Sequence, residues 1–115
     1  MKFEFNKTLK FGWKGLKGWS YNSSADFPRA SAAYFEVTGN HGRVKSKKSD
    51  RIYFVVDGRG EFMIKDKTIS VKKKDVIIVP RNTDYDYKAK NGIMKLFLTH
   101  SPAYNEKEEV KYEDF

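Results

Sequence analysis

The sequence predicts an all-β chain folded as one domain, an antiparallel sandwich or small barrel. Three observations lead there. Apolar residues recur with a period of two, and no helical period is sustained. Turn pairs such as Asp57-Gly58 and Asn91-Gly92 punctuate the runs at short intervals. With no helices between them, the strands cannot be joined by the crossovers that parallel sheets need.

Each element follows in order. Ala32–Thr38 (AAYFEVT) reads as a strand ending at Gly39-Asn40. Arg51–Val56 (RIYFVV) is the strongest strand and runs into the hairpin signal Asp57-Gly58. Glu61–Ile64 returns, Lys65-Asp66-Lys67 turns, and Thr68–Val71 runs back. Asp75–Val79 stops at Pro80, which cannot donate to a ladder. Tyr85–Lys88 is short and aromatic, and Ile93–Thr99 is the last clear strand. Residues 1–30 are expected to form an arm packing aromatics on the barrel of residues 31–100. Residues 101–115 are expected to be a loose, acidic tail with one short helical turn.

Side chains of Arg51–Val56 alternate between two faces. Arg51, Tyr53 and Val55 share one; Ile52, Phe54 and Val56 share the other. A strand apolar on both faces needs cover on both. One face should meet the interior, and the other an N-terminal arm or a second subunit, hence an expected homodimer.

At 115 residues the chain suits one core. It has no cysteine, which excludes disulfides and thiolate metal sites. The N-terminus lacks the apolar run of a signal peptide and no stretch approaches a membrane span, so a cytoplasmic location is expected and no membrane partner. The net charge of +8 and pI near 9.6 admit nucleic acid as a partner. The distribution argues against it. Residues 43–75 carry eleven Lys and Arg against five Asp and Glu, and many of these cations sit in turns, where they keep a β-protein soluble.

Within this pattern the spacings become specific. Gly39 is followed by five residues, then Lys45-Ser46-Lys47, three residues, Arg51, six residues and Gly58. Further on, Lys74 is followed by five residues and Pro80, then Asn82, Tyr85 and Ala89. Fifteen residues separate the two stretches. This resembles the paired motifs of a small single-domain cupin, with every spacing kept and every metal ligand replaced. The resemblance covers residues 31–100 and implies a jelly-roll β-barrel of two antiparallel sheets with an open mouth.

In the family the four ligand positions supply three histidines and a glutamate to a divalent metal. Here they hold Lys45, Lys47, Arg51 and Tyr85. Protonated Lys and Arg have no lone pair to give a metal. The expectation is therefore a metal-independent protein without a cofactor. Arg51 would grip a carboxylate or phosphate in a bidentate pair, and Lys45 and Lys47 would add point charges. Tyr53, Tyr85 and Tyr87 would form an aromatic wall with hydroxyl tips. The expected ligand is a small anionic metabolite, a sugar phosphate or carboxylate, with isomerase, epimerase or lyase chemistry left open. A fallback metal site would use His41 and His100, with Glu36 or Asp86. Two other readings stand beside these: a degenerate cupin with a structural or regulatory role, and a barrel that binds single-stranded nucleic acid.

Overall fold

The computed structural model describes residues 1–112. The last three residues of the expected tail lie outside them. The strands are β1 (Leu9–Trp13), β2 (Leu16–Ser20), β3 (Ser31–Val37), β4 (Val44–Ser46), β5 (Asp50–Asp57), β6 (Arg59–Ile64), β7 (Lys67–Lys72), β8 (Val76–Val79), β9 (Tyr85–Ala89), β10 (Met94–Ser101) and β11 (Glu109–Lys111). Short 3-10 turns cover Phe5–Lys7 and Glu106–Glu108. One sheet runs β1-β2-β3-β10-β5-β8, the other β11-β4-β9-β6-β7, and every described pairing is antiparallel. This is the jelly-roll barrel of two antiparallel sheets.

The registers explain the core. Leu96 lies between Phe35 and Val55. Leu98 lies between Ala33 and Tyr53. On the facing sheet Phe62 pairs with Tyr87. Directly opposed residues share a face, so one end of the barrel fills with Val37, Val55, Met94 and Leu96, all fully buried. Each such side chain contributes roughly 1.5–3 kcal/mol by leaving water. The other end turns polar, because the same inner row continues through Ser31, His100 and Arg51.

The turns have local causes. Lys74 and Asn82, which stand where the family spacing has glycines, both take left-handed backbone conformations, at φ 75° and 59°. Those two positions demand the conformation glycine adopts most easily, so the spacing is kept even though the residue is not.

Two regions depart from expectation. Residues 9–20 are not an arm laid over the barrel; they form the β1–β2 hairpin and lengthen one sheet beyond β3. Only the start of the chain lies over an outer face, where Phe5 packs on Trp19, Tyr21 and Tyr34. The tail is not loose either. It makes the expected short turn, with the Asn105 side chain accepting from the Lys107 amide, and then adds β11 beside β4. Weak alternation in both segments hid the strands, since all of β1 is exposed and β11 has three residues. Among the described residues no helix is long and apolar enough to cross a membrane.

Candidate functional site: a polar end of the barrel

Arg51 is the centre of the polar end. It is 4% exposed although it is an arginine. Its guanidinium donates to the Tyr85 hydroxyl and to the Glu109 carboxylate, which is equally buried. The Tyr53 and Tyr85 hydroxyls lie 2.6 Å apart. One strand of one sheet, β5, and two of the other, β9 and β11, therefore meet in a single hydrogen-bonded chain, with β11 supplying its carboxylate. Burial pushes the Tyr53, Tyr85 and Tyr87 hydroxyls above their ordinary range, so they remain protonated.

Among the described residues three polar atoms of this cluster are buried with no hydrogen-bond partner: Arg51 Nε, Glu109 Oε2 and the Tyr87 hydroxyl. Such atoms are costly in a folded protein. Together they offer one donor, one acceptor and one group that can be either.

His41 comes from the loop between β3 and β4. That loop is held on both sides. The His41 amide donates to the Tyr87 carbonyl at 2.8 Å and the Gly42 amide to Asp86 at 2.8 Å. On the other side, Thr38 and Gly39 donate to the Gly15 carbonyl at the β1–β2 turn. The imidazole stacks on Tyr87 at 4.6 Å and meets the edge of Trp13 at 5.5 Å. His41 Nδ1 is 2.8 Å from the Gly42 carbonyl. A carbonyl only accepts, so Nδ1 carries the proton and the neutral ring keeps its lone pair on Nε2. Burial lowers the His41 pKa to about 4, aided by the nearby Arg51 charge. His100, paired with Arg51 across the β10–β5 ladder, is lowered to about 3, again by burial first and Arg51 second.

The sequence-derived site residues divide. Arg51, Tyr53, Tyr85 and Tyr87 converge in the interior, and His41 and His100 come to the same end. Lys45 and Lys47 do not. Val44 and Ser46 are the buried residues of β4, and Val44 pairs with buried Tyr85, so Lys45 points away from the interior and Lys47 is exposed. The alternation of the strand is one residue out of step with the family spacing. The picture of three cations lining one mouth is corrected to a single guanidinium, already paired.

The fallback metal set is also dispersed. Glu36 lies on the outer face and accepts from Tyr34, while Asp86 is engaged by the Gly42 and Tyr87 amides. Among the described residues no three His, Cys, Asp or Glu side chains gather as a metal would require. The Arg51 guanidinium at the centre repels a cation, so the donor set does not fit the usual cupin metal. Glu109 was missed because it lies in an acidic tail whose charges look solvated. His41 was noted but not joined to the tyrosines. Two surface hollows, of about 190 and 160 Å³, lie away from this cluster and contain neither His41 nor Arg51.

No protein-family model matches the chain. No curated protein matches it either. Solved structures do. The Streptomyces protein Pac13, described as a nucleoside dehydratase, is 27% identical with a TM-score of 0.86, covering 97% of this chain and 90% of its own. A histidine-to-glutamine variant and two tyrosine-to-phenylalanine variants of that protein are solved with uridine. KdgF from Halomonas is 16% identical, with a TM-score of 0.78 over 91% of this chain and 96% of its own. The Schizosaccharomyces pombe Cnp3 cupin domain is 23% identical, with a TM-score of 0.74 over 88% of this chain and 73% of its own. With its two antiparallel sheets and its left-handed turns at the motif positions, the chain has the jelly-roll fold of the Cnp3 cupin domain and these other barrels.

Proposed function

We propose that this barrel binds a neutral, hydroxylated, nucleoside-like molecule and eliminates water from it without a metal. One observation carries the reading: a neutral imidazole, His41, with its lone pair on Nε2, stacks on Tyr87, whose buried hydroxyl makes no hydrogen bond among the described residues. The likeness to Pac13 supports it, because the variants solved with uridine alter one histidine and two tyrosines, the residue types gathered here.

The expected anion gives way on electrostatic grounds. Arg51 is neutralised by Glu109 inside the barrel. A phosphate there would meet a carboxylate as well as a guanidinium. A ribose-like diol suits the unpaired donor and acceptor better.

The chemistry is an elimination. His41 Nε2 takes a proton from carbon, and the electron pair of that C–H bond becomes the new double bond. The C–O bond to the adjacent hydroxyl breaks, and a tyrosine hydroxyl protonates the leaving group, which departs as water. Tyr87, whose hydroxyl makes no hydrogen bond of normal geometry among the described residues and lies beside that of Tyr53, is the donor. The proton on His41 then returns to the tyrosine. An imidazole whose conjugate acid has a pKa of about 4 is a weak base. The substrate must therefore carry a carbonyl that acidifies the C–H bond.

The test combines calorimetry with uridine and mass detection of water loss from an oxidised, carbonyl-bearing nucleoside. Wild type should bind and dehydrate. His41→Gln should retain the fold and lose turnover by about 100-fold or more, the usual contribution of a general base. Turnover undiminished in His41→Gln refutes the assignment. A competing reading, a barrel kept for a structural or regulatory role, draws on the fully buried rings of Tyr53, Tyr85 and Tyr87 that fill its centre. Failure of wild type to bind any nucleoside favours it.

The outer face suggests the assembly. Ile52, Phe54, Val76, Ile78 and Phe97 form adjoining rows on β5, β8 and β10, all exposed by 38% or more. The partner we infer is a second copy, which meets the same apolar rows by two-fold symmetry. A molecule 35 × 28 × 24 Å has a sheet face on the order of the ~800 Å² per partner that a stable interface needs.

A further inference from the structure

The β1 strand presents aromatic side chains on the concave side of the sheet, yet none of the described residues covers them fully. Phe11 pairs with Gly18 and Trp13 with Leu16, and these pair in turn with Phe35 and Val37 of the barrel interior. Opposed residues share a face, so Phe11 and Trp13 extend the inner wall beyond the mouth. They are 39% and 49% exposed. An exposed aromatic on an outer surface is commonplace; on the inner wall beside a candidate base it invites a ligand.

The shelf is fixed in place. The Phe11 ring lies over the Gly18 backbone so closely that a Cβ there would fall 2.3 Å from it. Phe11 also meets Phe35 edge-on at 5.6 Å and Trp13 at 6.2 Å. The Trp13 indole N–H donates to the His41 carbonyl at 3.2 Å, and its ring meets the His41 imidazole edge at 5.5 Å. Trp13 is thereby tied to the loop that carries the base.

We propose that Phe11 and Trp13 are the specificity-determining platform of this site, on which a planar heteroaromatic ring stacks while its attached sugar reaches His41. This rests on the nucleoside reading above and adds where the base is read. Stacking on a pinned ring needs little ordering of the protein, and every nucleobase offers a π-face.

Trp19 is the one other tryptophan, and it lies on the outer face against Phe5 and Tyr34. In a Trp19→Phe background, emission therefore reports Trp13 alone. Uridine and methyl riboside, which lacks the base, are titrated by fluorescence and calorimetry. The platform predicts quenching by uridine but not by methyl riboside. Trp13→Ala should weaken uridine binding about tenfold or more, and by a clearly larger factor than it weakens methyl riboside binding. Trp13→Phe should retain most of the affinity, and Gly18→Ala, which displaces Phe11, should lose part of it. Circular dichroism of each variant controls for folding. Calorimetric uridine binding with no quenching and no loss in Trp13→Ala overturns the platform and leaves the nucleoside reading standing. Absence of uridine binding in wild type overturns both.

Discussion

Arg51 and Glu109 stand where most proteins would place apolar side chains. Their pairing is intelligible only as a unit, because each charge alone would be stranded in the interior. Glu109→Gln should therefore cost about 3–5 kcal/mol in urea unfolding, the usual penalty for leaving a buried charge uncompensated. The double replacement Arg51→Met with Glu109→Leu should recover most of that loss. A double variant as unstable as the single one would contradict the pairing. The histidines set the acid limit. Both are neutral in the folded protein, with pKa values of about 4 and 3, below the ordinary 6.5. The unfolded chain thus binds more protons between about pH 3 and 6.5, so the stability they contribute is complete above pH 6.5 and is lost as pH falls. The expected loss by pH 4 is on the order of a few kcal/mol, read from unfolding midpoints across pH. Replacing both with Gln should flatten that slope. In the sequence, strand alternation put Arg51 and Tyr53 on one face, and the cupin-like spacing rather than polarity pointed that face inward. Glu109 was not, since nothing local distinguishes it from its solvated neighbours Glu106 and Glu108.

Two elements decide what the site can do, and neither was visible as a strand. The β4 strand pairs with β9 through one register position, Val44 with Tyr85, and that sets its alternation. A one-residue slip turns every side chain to the opposite face, which is why Lys45 and Lys47 could be placed inside by spacing and lie outside by pairing. Replacing both lysines with alanine should leave uridine affinity within about twofold, whereas Arg51→Ala should abolish it. Equal losses in calorimetry would restore the three-cation mouth. The β1–β2 hairpin contributes in another way. Its turn carbonyl at Gly15 holds the loop of His41, and its inner side chains extend the wall. The glycines and aromatics of FGWKGLKGW have no clean period, because glycine at position 18 serves the Phe11 ring rather than a turn. The central strands were legible because their inner residues are consistently large and apolar. Their ends, set by pairing partners, shifted by a residue or two.

At the scale of the molecule, an apolar outer sheet and a basic surface set the solution behaviour. The pairing of copies we propose predicts a dimer by light scattering at micromolar concentration, and Val76→Lys with Ile78→Lys should yield a folded monomer. A wild-type monomer would contradict it. The account rests above all on His41 as a neutral base inside a nucleoside site. The chain has only two histidines, so a long-range proton–nitrogen NMR spectrum resolves each ring, with His41→Gln giving the assignment. At pH 7 the account predicts a neutral His41 protonated on Nδ1, with its Nε2 resonance moving when uridine is added. A cationic His41 at pH 7, or one whose resonances ignore saturating uridine, would contradict it.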